Sequence, residues 1–104
     1  MAGDPCPAKG AMMTETYVAF YEPGERWRPG KSISEQPLGE HVKYLLGLHE
    51  RGKVVMGGPF ANEPSALVVL DVTGRDEAQR LIDGDPAVVD RVLTAKIRKW
   101  NRVV

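Results

Sequence analysis

Cysteine is almost missing from this chain. A single one, Cys6, stands among 104 residues, which excludes an intramolecular disulfide and any multi-cysteine metal site. Histidine is nearly as scarce. His41 and His49 are the two present, and a helix would set them about 12 Å apart along its axis, too far to share one ion. With no Cys-His cluster, a structural zinc is not expected. An excess of either charge is also absent: 14 Lys plus Arg balance 14 Asp plus Glu. That excludes the basic surplus of a general nucleic-acid binder and the acidic surplus of a solvating, disordered chain. No apolar run reaches the roughly 18 residues of a membrane span, and the N-terminus lacks the apolar core of a signal peptide. The expectation is a soluble cytoplasmic protein without metal or organic cofactor, and with neither nucleic acid nor membrane as partner.

What is present suits one small domain. Hydrophobic residues make up 42% of the chain, an ordinary globular share. A domain of this size buries about two-thirds of its unfolded surface and often gains stability by association. Residues 1–12, with Pro5, Pro7, Gly3 and Gly10, show no periodicity and read as a flexible tail or expression remnant. Cys6 falls there, which argues against a catalytic thiol. The working domain is read as 13–104.

Aromatic and β-branched residues from Thr14 through Tyr17, Val18, Phe20 and Tyr21 read as a strand ended by Pro23-Gly24. A long irregular stretch, 22–36, carries two Pro-Gly turn signals and has the length of a lid or binding loop. A helix follows, with Pro37 in its first turn, Glu35 and Glu40 at its positive end, and Gly52 just past its close. Leu38, Val42, Leu45 and His49 form its expected core stripe. Val54–Met56 reads as a strand stopped by Gly57-Gly58-Pro59, and Ala66–Leu70 as a strand buried on both faces. The Asn62-Glu63-Pro64 connection makes these two strands a hairpin. Gly74 or Thr73 caps a second helix bearing Ala78, Leu81 and Ile82. Asp85-Pro86 opens a short helical turn, and Leu93–Trp100 alternates as a last strand. Strand, helix, strand, strand, helix, strand is the ferredoxin-like α+β order, with helices on one face of an antiparallel sheet. The other face, assigned Tyr17, Val55 and Val69, would meet water as an apolar patch unless a second copy covered it.

Two residues stand out for chemistry. His41 lies in the first turn of the first helix, where the positive dipole end favours a neutral imidazole; a nearby carboxylate would fix its tautomer and suit it to shuttle a proton. It also reads as a core-edge histidine bonded to backbone, an ordinary use of a helix-face histidine. Asp85 before Pro86 reads as a helix cap, and a capping carboxylate can offer its second oxygen to an imidazole. His49 reads as a packing or C-terminal histidine. Gly58 and Pro59 permit close backbone approach to a ligand or simply end a strand. Trp27, between Arg26 and Arg28, either caps a ligand or packs at the domain edge or a dimer contact. There is no GxGxxG, no Walker pattern and no nucleophile elbow.

The ordered set His41, Leu45, Leu48, Gly52, Gly58-Pro59, Glu77-Ala78, Asp85-Pro86 and Trp100 resembles the YCII-related (YciI-like) family over about residues 16–101. The stretch 21–36 resembles the variant with an extended first connection. The resemblance implies a dimeric α+β barrel in which two ferredoxin-like sheets face each other. It also implies a His/Asp pair at His41 and Asp85, on which the family's suspected enzyme activity rests. The fold is similar to that of muconolactone isomerases and small cofactor-free monooxygenases, and some relatives are tied to aromatic-compound breakdown. The functional expectation is a small cofactor-independent enzyme performing isomerase- or lyase-like proton transfer on a small cyclic or aromatic metabolite. Its catalytic residues would be His41 and Asp85, and Trp27, Gly58 and Pro59 would bind the ligand. The alternatives are a non-catalytic ligand-binding domain and a plain dimerisation domain.

Overall fold

A computed structural model of the chain describes residues 14–104. The tail at 1–12 and Cys6 lie outside the described residues. The elements follow the expected order: β1 (Glu15–Pro23), α1 (Gly39–Glu50), β2 (Val54–Pro59), β3 (Ala66–Val72), α2 (Arg75–Asp83), the single-turn α3 (Pro86–Val89) and β4 (Leu93–Lys99). The strands form one antiparallel sheet in the order β2-β3-β1-β4. This is a ferredoxin-like α+β fold. Each crossover helix returns the chain across the sheet, so a strand made later can slot between two made earlier.

Period-two alternation decides what each strand buries. In β1, Tyr17, Ala19 and Tyr21 enter the core beneath the helices, joined by Val68, Leu70 and Val72 of β3 and Leu93 and Ile97 of β4. Leu48 of α1 and Ala78 and Ile82 of α2 close that core from above. The open face carries Val18 and its cross-strand partner Val69, both buried, with Phe20 39% and Trp100 46% exposed beside them. Tyr17 therefore belongs to the covered face, not the open one, while Val69 is on the open face as expected. Val55 falls in a register break between Val54 and Met56. One extra residue there bends β2 and re-aims its side chains.

Three further local readings are corrected. Pro37 lies outside α1, because Leu38 is the N-cap and Gly39 the first helical residue. Glu35 instead ends a 3-10 turn at Ile33–Glu35, where its carboxylate accepts from the Ser32 amide at 2.9 Å. The Gly57-Gly58-Pro59 segment does not stop β2 but continues it, paired with Val68, Leu67 and Ala66. Gly57 can pair there because a Cβ on it would come within 3.1 Å of the Leu67 carbonyl oxygen. Gly52, at φ +76°, is the left-handed residue that ends α1.

The expected stripe of α1 is displaced around the helix. His41 and Leu48 are its buried residues, while Val42 is 50% and Leu46 57% exposed and His49 is on the surface. Apolar residues cover a wider arc than the core needs. The surplus, Leu38, Val42, Leu45 and Leu46, faces a cleft between α1 and β2.

The long stretch after β1 is pinned at two places. Gly24 and Arg26 donate their amides to the carbonyls of Val92 and Arg91, both at 2.8 Å. The buried Gln36 side chain accepts from the Arg28 amide at 2.8 Å and donates to the carbonyls of Arg28 and Lys31 at 2.9 and 3.3 Å. One amide side chain thus replaces the ladder bonds this backbone lacks.

Candidate functional site

The interruption of the helix between α2 and α3 places Asp85. Gly84 ends α2, and Pro86 at the first position of α3 fixes the backbone φ that starts the next turn. Asp85 caps that turn, its Oδ1 accepting from the Ala87 amide at 2.9 Å. Its side chain is wholly buried. A buried carboxylate needs several donors to offset its lost hydration, and Asp85 has them. The Tyr21 hydroxyl donates to Oδ2 at 3.0 Å. His41 Nδ1 lies 2.7 Å from Oδ2 and 2.9 Å from Oδ1.

Three separate elements thus meet at one carboxylate: β1 through Tyr21, α1 through His41 and α3 through Asp85. The Tyr21 ring stands edge-on to the imidazole, with centroids 5.3 Å apart and planes at 77°. That contact limits the swing of the His41 ring. Burial, and then the Asp85 charge, push the Tyr21 hydroxyl far above the ordinary tyrosine range, so it remains a donor. Burial followed by the Asp85 charge also raises Tyr44, whose hydroxyl donates to the Leu81 carbonyl at 2.6 Å.

The carboxylate accepts from Nδ1–H, which leaves Nε2 of a neutral His41 as an acceptor. His41 lines the cleft between α1 and β2, which has a volume of about 760 Å³. That lies within the roughly 300–1,000 Å³ of small-molecule sites. Ile33, Leu38, Val42, Leu45, Leu46 and Met56 supply most of its wall, with Gly57, Gly58 and Pro59 along the strand side. The arrangement sets an oriented imidazole at a largely apolar chamber.

Of the residues singled out in the sequence, His41, Asp85, Gly58 and Pro59 come together, Asp85 behind the imidazole and the other three on the cleft wall. Trp27 does not join them. It is half-buried against the core, with its amide on the Gly24 carbonyl at 3.1 Å, and it does not line the cleft. A Cβ on Gly58 would meet nothing within 4 Å. Tyr21 and Gln36 are the residues that sequence reasoning passed over. The alternation of β1 put Tyr21 on the face of Tyr17 and Ala19, but no pattern ties a strand tyrosine to an aspartate 64 positions away. Among the described residues no group of three or more His, Cys, Asp or Glu side chains is placed to hold a metal ion. None of their helices is long and apolar enough to cross a membrane.

Fold and site together define a class: a small ferredoxin-like α+β domain with a buried imidazole–carboxylate pair at the edge of an apolar cleft. Residues 21–101 match the model of the YCII-related domain. The chain belongs to the YCII-related family. Curated proteins offer no match to it.

Proposed function

We propose that this protein is a small enzyme in which His41 moves a proton on a cyclic or aromatic metabolite held in the α1–β2 cleft. The observation that carries the reading is one imidazole with two environments: Nδ1 on a fully buried carboxylate, and an edge on the cleft wall. His41 Nε2 takes the proton from a carbon beside a carbonyl and returns it to the same or a neighbouring atom, giving isomerisation, or elimination where a leaving group departs. Asp85 stabilises the imidazolium formed in between and holds the ring's orientation. Tyr21 and the Ala87 amide keep the carboxylate in place.

The same reading includes self-association through the open sheet face. Phe20 and Trp100 stand partly exposed there around Val18, a surface that a second copy would take out of water. Cytoplasmic residence goes with this reading.

The test is exchange of carbon-bound hydrogen in heavy water. A panel of small cyclic and aromatic ketones is incubated with the protein and followed by NMR. Wild type speeds deuterium incorporation beside the carbonyl of at least one compound, and His41→Ala loses the effect while keeping the same oligomeric state. Undiminished exchange with His41→Ala would sink the mechanism.

A second reading has its own support. Capping of α3 alone accounts for a buried aspartate, so the cleft could serve binding without chemistry. Mass spectrometry of ligand recovered after incubation separates the two, since an altered ligand excludes pure binding.

A further inference from the structure

His49 lines the same cleft as His41, two turns further along α1. Its Nδ1 lies 2.9 Å from the Val54 carbonyl oxygen. A carbonyl can only accept, so Nδ1 carries the proton and Nε2 of the neutral ring is the acceptor. Both histidines are thus held in the same tautomer, by different partners, with Nε2 as the ring nitrogen left for a ligand. The wall between them is apolar: Val42, Leu45, Leu46 and Met56. Among the described residues no Lys, Arg, Asp or Glu lines the cleft. An ionised ligand would leave its charge there without a partner, at a large desolvation cost. The other polar side chains are already engaged. Gln36 serves the loop backbone, the Ser34 hydroxyl shares a hydrogen bond with that of Ser32 at 2.9 Å, and the Ser65 hydroxyl donates to Glu63 at 2.7 Å.

We infer that the cleft binds an uncharged, elongated, largely apolar molecule whose reacting end lies at His41 Nε2 and whose far end carries a hydrogen-bond donor that meets His49 Nε2. The inference rests on the cleft being the His41 site. It adds His49 as the residue that sets ligand length and the polarity of the far end. Eight residues of helix separate the two rings by about 12 Å along the axis, so chain length becomes a selectable property.

The probe is a series of straight-chain diols with a hydroxyl at each end, butanediol to decanediol, each paired with the mono-alcohol of equal length. Dissociation constants come from backbone amide shifts, and the ring nitrogens of both histidines are followed. In wild type the diol advantage peaks at an intermediate length and reaches about fivefold, as expected for one added neutral hydrogen bond. His49→Asn, whose short amide can still donate to the Val54 carbonyl, removes the advantage, while a mono-alcohol, which needs one acceptor and keeps His41, loses at most about twofold for the orientation it gives up. His49→Gln, which carries an acceptor near the old Nε2 position, restores part of it. Circular dichroism confirms that each variant is folded.

A wild type without a diol advantage, or an advantage that survives His49→Asn, overturns the inference. If His41 still responds to both kinds of alcohol in those cases, the His41 cleft stands and only the second anchor falls. If no alcohol perturbs His41 at any length, the inference and the proposed site fail together.

Discussion

The two ends of α1 hold a histidine in the same tautomer by different means. At the first turn, His41 rests on a carboxylate that is fully buried and already accepts from Tyr21 and the Ala87 amide. At the last turn, the exposed His49 rests on the backbone carbonyl of Val54. Both partners fix which nitrogen carries the proton. Only the first carries a full negative charge able to stabilise an imidazolium. A carbonyl dipole orients a ring, whereas a carboxylate also attracts a positive charge on it, and in the proposed reading this difference sets the proton-transfer histidine apart from the recognition one.

Destroying the first partner should have the largest effect. Asp85→Ala leaves the Tyr21 hydroxyl, His41 Nδ1–H and the Ala87 amide without their acceptor, and should cost about 3–5 kcal/mol for the buried donors left unpaired; urea unfolding measures it. Asp85→Asn keeps a cap but loses the charge. Nitrogen-15 shifts of the imidazoles should then show the Nδ1–H form of His41 less populated and His49 unaltered. An equal response from both rings would erase the distinction drawn between the two ends. Tyr21→Phe is milder. It removes one of three donors to Asp85 and should cost about 1 kcal/mol, the net worth of a typical hydrogen bond, with the edge-on ring contact kept.

The far end of α1 has a carboxylate too, but one step removed. Glu77 pairs with Lys53 at 2.7 Å and accepts from the Thr73 amide at 2.8 Å. Lys53 adjoins Val54, the residue that holds His49. The hydrogen bond from Lys53, then the Thr73 amide, bring Glu77 from its ordinary 4.5 down to about 2. A depressed folded-state value means the stabilisation is whole above pH 4.5 and is lost as pH falls toward 2. Because solvent screens the pair, it contributes on the order of 1 kcal/mol. Glu77→Gln should flatten the stability–pH curve across that window, and amide exchange should show the loosening at the His49 end, with the His41 end unmoved. The smallest effect belongs to His49→Asn, expected within about 0.5 kcal/mol of wild type, as for a surface substitution. A loss like that of Asp85→Ala would make His49 a structural residue instead.

Much of the fold was legible because its signals are local. The element order follows from alternation in β1 and β4, the Gly52 stop and the Asp85-Pro86 start, each acting within a few residues. The family resemblance and the helix position marked His41, and capping chemistry marked Asp85. The misread face of α1 has a physical source. Leu38, Val42, Leu45, Leu46 and Leu48 spread over so broad an arc that periodicity has no sharp maximum, and a core stripe cannot be told from a cleft lining. Pro37 fitted a first helical turn by propensity, but the 3-10 turn before it moved the start to Gly39. Strand pattern gives two faces without saying which one the helices cover, and Tyr17 falls on the covered one. Tyr21 was missed because its partner is a long-range one. Charged neighbours leave Trp27 open to both capping a ligand and packing at an edge; it stands half-buried against the core and does not line the α1–β2 cleft.

Asp85 serves two masters. It begins α3 and it holds His41, so drift in one role is checked by the other. A descendant of this protein that had abandoned chemistry would still be under selection to keep this aspartate, merely to fold. Glutamate would be a poor heir despite its identical charge, since the longer side chain no longer suits a cap. Persistence of Asp85 among descendants is therefore weak testimony to catalysis. The position whose fate would report a lost activity is its partner across the hydrogen bond, His41, which starts no helix of its own.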